Sequence, residues 1–292
     1  MPRPRGRRVS SAATARGRLE GKVAIVTGAA RGQGRSHAVR LAEEGADIIA
    51  IDICAQIESV DYPMATPEDL DETVKLVEEL DRRIVAHQAD VRDGAALQRI
   101  STAAVAEFGH IDVVVGNQGI FSKAALTWEL SDAQWQDTLS VNLTGYFELV
   151  RAVVPAMIQG GRGGSIIFIS SLLGTKGAWN MSHYAAAKHG VIGLMQCLTH
   201  ELAPHMIRVN TINPTMVLTP MIDNESAYRL FRPDLESPSL ADFAVPSQEG
   251  NLLPIPWVEA VDISNAVVWL ASDEARFVTG VALPVDAGAG TK

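Results

Sequence analysis

In the stretch NMSHYAAAKHGVIG, Tyr184 and Lys188 stand four residues apart, so on a helix they share one face. A tyrosine in water titrates near 10 and is a poor base at neutral pH. A lysine ammonium nearby favours the phenolate and lowers that value, and the pair can then take the proton of an alcohol while its hydride leaves for an acceptor. Alone, such a pair is a common helical spacing and is more often structural. Here Ser171 precedes it in FISSLLG at a strand end, where its hydroxyl can orient a substrate oxygen, and Asn142 in LSVNLTGYF lies mid-helix. That amide could hold a water linking Lys188 to solvent. Four such residues in order are hard to obtain by chance.

A second constellation lies upstream. VAIVTGAARGQGRS sets Gly28, Gly32 and Gly34 directly after an apolar run and at the start of a helical pattern, with Arg31 and Gln33 between them. Glycine there lets the backbone approach a pyrophosphate, which the N–H groups and positive dipole of a helix start can bind. A lone glycine trio is weak, because ordinary turns also use glycine. The strand before it, the helix after it and Asp52 at the end of the next strand together point to a dinucleotide. The Asp52 carboxylate suits ribose hydroxyls and repels a 2′-phosphate, so it favours NAD; Arg31 argues for NADP but can swing to solvent. Ile53 follows Asp52 beside the ribose. Asp90 and Val91 end the third strand and would flank the adenine, while Asn117 and Gly119 end the fourth beneath the ribose. Turn chemistry at strand ends is the plainer reading of these four.

Positioning these groups requires alternating elements. Strands are predicted at 22–28, 46–52, 83–89, 111–117, 165–170, 207–212 and 281–286, with helical periodicity around 35–44, 68–82, 94–108, 131–159, 183–203 and 259–271. Strand and helix in alternation imply a parallel sheet with right-handed crossovers and helices on both faces. The expectation is one doubly wound α/β domain over 19–292 with a seven-stranded parallel sheet.

Two segments break the rhythm. The first, about 53–67, intervenes between Asp52 and the next helix. The second, about 215–257, is rich in proline and polar residues but keeps Leu230, Phe231, Leu252, Leu253 and Trp257. A long segment with little structure of its own and several apolar anchors reads as a substrate lid, with a structural excursion or an oligomer contact as the alternatives.

The bulk numbers exclude some classes. Residues 1–18 hold six of the 25 bases and none of the 34 acids, so the body carries 19 bases against 34 acids, a net of −15. Such a body is a poor nucleic-acid binder. The basic tail reads as a disordered extension or misplaced start, with a transit peptide or a polyanion-binding arm as alternatives. No uninterrupted apolar run reaches the roughly 18 residues expected of a membrane span. Cys54 and Cys197 lack disulfide or metal spacing, so no metal is expected and a reduced cytoplasm suits the chain.

With these motifs assembled, the chain from about 20 to 290 resembles the short-chain dehydrogenase/reductase family, through TGAARGQG, VNLTGYF, ISS, YAAAK, VNTINP and VTGVALPVDAG. The resemblance implies a Rossmann fold and an NAD-dependent oxidoreductase. In it Tyr184 is the acid/base, Lys188 binds the nicotinamide ribose and tunes Tyr184, Ser171 positions the reacting oxygen and Asn142 sustains the proton relay. Pro214, Val217 and Thr219 match positions that reach the nicotinamide amide. Thr215 stands where the family usually has glycine, and Asn117-Gln118-Gly119 departs from the usual N-x-A-G. The segment after Asp52 further resembles the mycofactocin-coupled, carveol dehydrogenase-like branch, in which NAD stays bound and electrons pass to a peptide-derived carrier. The likeness also implies a homotetramer with Trp269 and Phe277 between subunits. Gln118, Ile120, Phe121, Leu172, Leu173, Trp179, Met181 and Met216 form an expected apolar substrate pocket for a terpenoid-like secondary alcohol or ketone. A freely exchanging ketone reductase and a non-catalytic nucleotide-binding regulator are the competing readings.

Overall fold

The computed structural model of the chain describes residues 17–292. Seven strands form one sheet: β1 (Val23–Thr27), β2 (Asp47–Asp52), β3 (Ile84–Gln88), β4 (Val113–Gly116), β5 (Gly164–Ile169), β6 (Ile207–Pro214) and β7 (Ala282–Val285). Every pairing is parallel, in the order β3-β2-β1-β4-β5-β6-β7. The central strands β1 and β4 are wholly buried and apolar except for Thr27 at the end of β1, because helices cover both faces. The sheet thus has the expected number of strands and the doubly wound arrangement.

One face packs α1 (Gly32–Glu43), α2 (Pro67–Glu78) and a later helix over Ala38, Leu41, Val267 and Val268. The other packs α3 (Gly94–Phe108) and the helices beyond it over Leu97, Leu149, Val153 and Met195. The strand order reverses between β1 and β4, and a crevice opens there at the carboxyl ends of the strands.

Three elements differ from their sequence-based expectation. The single helix expected over 131–159 is α4 (Asp132–Leu139), a π-turn at Ser140–Thr144 and α5 (Gly145–Gly160). The Gly145 N–H reaches back five residues to the Ser140 carbonyl, and that one-residue register slip leaves no mark on apolar periodicity. By length and mean hydropathy Asp132–Gly160 passes as a membrane span, although charged residues interrupt it, and half of its most apolar window is buried inside the protein. After α6 (Ser182–Leu202), the segment expected to have little structure contains α7 (Glu225–Phe231) and α8 (Leu240–Gly250), followed by α9 (Ala260–Ala271). Ser239 and Asp242 cap α8 reciprocally, and Pro246 sits inside that helix. Arg232 donates to the Asp242 carbonyl that the proline leaves without a helical donor. The anchor of the segment is the fully buried Phe243, ringed by Tyr228, Phe231 and Trp257, whereas Leu252 and Leu253 are exposed.

The basic tail lies outside the described residues up to position 16. Its last two residues belong to the folded body: Arg18 pairs with Glu44, and Gly17 packs so closely against Glu44 that a Cβ there would lie 2.1 Å from its carbonyl oxygen.

Candidate active site

The crevice begins at the glycine loop. Gly28 and Gly32 adopt φ values of +64° and +56°, a region that side chains other than glycine disfavour. Gly34 has no room for a side chain, since a Cβ would lie 1.9 Å from the Gly28 carbonyl oxygen. Asn117 locks the loop from β4, donating through Nδ2 to the Thr27 and Gly28 carbonyls at 3.0 and 3.3 Å. Its amide N–H groups are thereby engaged by the loop, and the residue still lines the crevice. The first turn of α1 has no side-chain cap and no acid, so its N–H groups and the positive dipole end open on the crevice. Gln33 lines it with a buried, unpartnered Oε1, and the Thr219 side chain stands 3.4 Å from where a Gly32 Cβ would be. A cradle of glycines at an uncapped helix start fits a pyrophosphate.

Asp52 is buried at the end of β2. One carboxylate oxygen accepts from the Ala30 N–H and the other from the Cys54 N–H, each at 3.0 Å, which aims the group into the crevice beside Ile53. Arg31 is drawn away from it, its guanidinium donating to the Pro63 carbonyl at 2.5 Å. The base expected to oppose Asp52 is thus engaged by the inserted segment. Asp90 and Val91 line the far side, the Asp90 carboxylate held by Arg92.

The segment after Asp52 folds back over this half of the crevice. The Gln56 side chain donates to the Val60 carbonyl at 2.8 Å and accepts from the Met64 N–H at 3.1 Å, which ties the loop into a compact turn. Ile57, Val60 and Tyr62 then form a small core with Val91, Ile120 and Val141, with Met221 packed against it. Ile57, Tyr62, Met64 and Met221 line the crevice. Their irregular spacing gave no periodic signal in the sequence.

Beyond Gly119 the crevice reaches the group formed by Asn142, Ser171, Tyr184 and Lys188. Both Asn142 Oδ1 and Lys188 Nζ lie within 3.7 Å of where a Gly119 Cβ would sit. Lys188 is buried and donates to the Ile169 carbonyl at 2.8 Å, leaving two further N–H bonds on its ammonium. Its Nζ is 5.6 Å from the Tyr184 ring centre and 5.5 Å from that of Tyr146. Burial pulls Lys188 down to about 7. Burial also pushes the Tyr184 phenol up to about 12, against the opposing hydrogen bond from Ser171. In the chain by itself burial therefore outweighs the lysine, and the expected lowering of Tyr184 rests on Lys188 together with the positive nicotinamide of an oxidised cofactor.

Several expected positions change role. Both ends of the Asn142 amide close on Ile120, where Oδ1 accepts from the peptide N–H at 2.8 Å and Nδ2 donates to the carbonyl at 2.7 Å, which leaves one amide N–H for the expected water. Gln118 turns inward, 2.5 Å from the Thr27 hydroxyl, and Ile120 is buried beside the insertion, and both line the crevice. Trp179 is 86% exposed, beside a left-handed backbone at Asn180 with φ +62°. Val217 is packed in the core, bridged to Val258. Pro214 is buried at the end of β6, while Leu172, Leu173, Met181 and Met216 are half-buried, the first two directly after Ser171 and Met181 three residues before Tyr184. Tyr146, one helical turn past Asn142, was not singled out by sequence; its hydroxyl reaches the Ile169 and Gln118 carbonyls at 2.9 and 3.0 Å.

A glycine cradle at the sheet reversal, with a serine, tyrosine and lysine beyond it, is the arrangement of a dinucleotide-dependent dehydrogenase, and residues 22–229 match the short chain dehydrogenase family. The chain belongs to that family. It is 51% identical to (−)-trans-carveol dehydrogenase of Rhodococcus erythropolis over 271 residues, covering 93% of this chain and 98% of the relative. Among solved structures it resembles carveol dehydrogenase from Mycobacterium avium in complex with NAD, with a TM-score of 0.94 and 57% identity over 94% of this chain and all of that one. A short chain dehydrogenase from Mycobacterium paratuberculosis bound to NAD gives a TM-score of 0.86 at 43% identity, again over 94% of this chain and all of that one.

Proposed function

We propose that this chain, an NAD-dependent alcohol dehydrogenase by family, interconverts a hydrophobic secondary alcohol of the carveol type and its ketone. The observation that carries the reading is the meeting of Ser171, Tyr184 and Lys188 beyond Gly119, at the open end of a crevice shaped for a dinucleotide. The half-buried apolar residues Leu172, Leu173, Met181 and Met216 around them suit a ring without charge.

Tyr184 takes the hydroxyl proton of the alcohol, and Ser171 holds the same oxygen. Lys188, fixed by Ile169, directs its remaining N–H bonds at the ribose. Asn142 acts through the backbone, setting Ile120 and the floor beside Lys188. Gly28, Gly32, Gln33, Gly34 and Thr219 hold the pyrophosphate, and Asp52 with Ile53, Asp90 and Val91 the adenosine. When bound, oxidised NAD accepts the hydride and brings the positive charge that favours phenolate at Tyr184. The buried Asp52 and the diversion of Arg31 both favour NAD over NADP.

The inserted segment supports a further reading: it covers the adenosine half, so NAD is retained through turnover and re-oxidised in place by a mycofactocin-type carrier. Phe277, 82% exposed on the single chain, suits an interface of a homotetramer working in the cytoplasm. The test is to purify the protein, release nucleotide by denaturation and compare carveol oxidation with free NAD and with an artificial dye. Co-purified NAD with dye-dependent turnover supports retention. Nucleotide-free protein that turns over freely with added NAD refutes it, and absence of alcohol oxidation under both conditions refutes the activity.

A further inference from the structure

Three consecutive residues of the insertion touch three parts of the site. Asp61 accepts from the Ser226 hydroxyl of α7 at 2.6 Å, Pro63 accepts from Arg31 of the glycine loop, and between them the buried Tyr62 accepts from the Phe121 N–H at 3.3 Å. The Phe121 ring in turn stands edge-on to Tyr184, centres 5.6 Å apart at 77°.

We propose that Tyr62 is a positioning residue for the reaction, holding Phe121 so that its ring fixes the plane of Tyr184 and the direction of its hydroxyl. The inference rests on the reading of Tyr184 as the acid/base. Residues 117–126 follow β4 without regular structure, and several of their backbone N–H groups are held by side chains. Two adjacent ones are held from opposite sides: Ile120 by Asn142 and Phe121 by Tyr62. Tyr62 is itself fixed, 6% exposed, packed with Ile120 and Val91, with its carbonyl accepting from Gln56. An edge-to-face contact is directional, so a ring held at its backbone restrains the ring it meets. Small errors in the orientation of a reacting group are costly in rate. The insertion therefore acts at the alcohol end of the crevice as well as over the adenosine.

Removing only the hydroxyl tests this. Tyr62→Phe keeps the ring in its apolar cluster and is expected to lower kcat for carveol with a dye acceptor about tenfold, with KM and co-purified NAD little changed. Exchange of the Phe121 amide, followed by hydrogen exchange, should accelerate. Phe121→Leu should give a similar loss, and the double variant should be no slower than either single one, because both act through one contact. Glu58→Gln, on the exposed side of the insertion, serves as the control with unchanged kcat. A kcat for Tyr62→Phe within twofold of the parent, loss of NAD in parallel with kcat, or multiplying losses in the double variant overturns the proposal. A parent protein that oxidises no alcohol would sink the reading of the site instead, while the Phe121 amide still reports whether Tyr62 holds that loop.

Discussion

The Asn142 side chain grips the Ile120 peptide at both of its polar atoms, through bonds of 2.8 and 2.7 Å. Because Asn142 sits in the π-turn and Ile120 in the irregular chain after β4, this pair joins the helix carrying one to the loop carrying the other. Replacement by alanine strands a buried N–H and a buried C=O, so Asn142→Ala should lose roughly 1–3 kcal/mol per group left unsatisfied. Thermal unfolding checks the loss of stability. Carveol turnover should fall further than NAD content, since the displaced floor lies beside Lys188.

In the proposed reaction, Tyr184→Phe removes the group that takes the hydroxyl proton. Turnover should drop by a factor on the order of 10² to 10⁴, the usual contribution of a general base, while NAD co-purifies as before. Single-turnover kinetics with carveol would read this, and retained turnover would show that another group moves the proton.

The pH dependence of stability follows from the buried Lys188 and the half-buried Tyr184. Lys188 titrates at about 7 in the folded chain against an ordinary 10.5, so between those values the unfolded chain binds more protons and stability rises with pH. Below about 7 the cost of burying the ammonium is fully present. Tyr184 is raised from 10 to about 12, so in that window the unfolded chain ionises first and stability falls as pH rises. Lys188→Met should therefore be more stable than the parent near pH 6, by a few kcal/mol, with the gain shrinking toward pH 10. Denaturant unfolding of the nucleotide-free chain across that range measures it; a parent and variant with parallel profiles would contradict the shift.

Much of this architecture was legible in the sequence for a physical reason. Strands buried on both faces are continuous apolar runs, and a loop that lets backbone meet backbone must be glycine, as Gly34 shows at 1.9 Å from Gly28. What was not legible depends on contacts distant in sequence. The π-turn around Asn142 shifts the helix by one residue without altering its composition. The prolines of 215–257 hid α7 and α8, because Pro246 reads as a helix breaker until Arg232 is seen at the freed carbonyl. Trp179 looked like a pocket wall from its proximity to Tyr184 in sequence, but it is 86% exposed beside the left-handed backbone at Asn180. Arg31 looked like a free base for a phosphate, and only the folded insertion reveals Pro63 as its partner.

The two loop glycines should respond differently to alanine. At Gly34 the added Cβ meets the Gly28 carbonyl oxygen at 1.9 Å and Asn117 Nδ2 at 2.7 Å, so either the loop or α1 must move. Gly34→Ala should lose NAD binding outright, together with a large drop in Tm. At Gly32 the nearest atoms are 3.4 Å away on the Thr219 side chain, and the obstacle is the left-handed backbone at φ +56°. Holding alanine there costs about 1–2 kcal/mol, so Gly32→Ala should fold with a modestly lower Tm and bind NAD more weakly. NADH fluorescence titration of refolded, nucleotide-free protein separates the two; equal binding by both variants would mean that the cradle is not where the pyrophosphate rests.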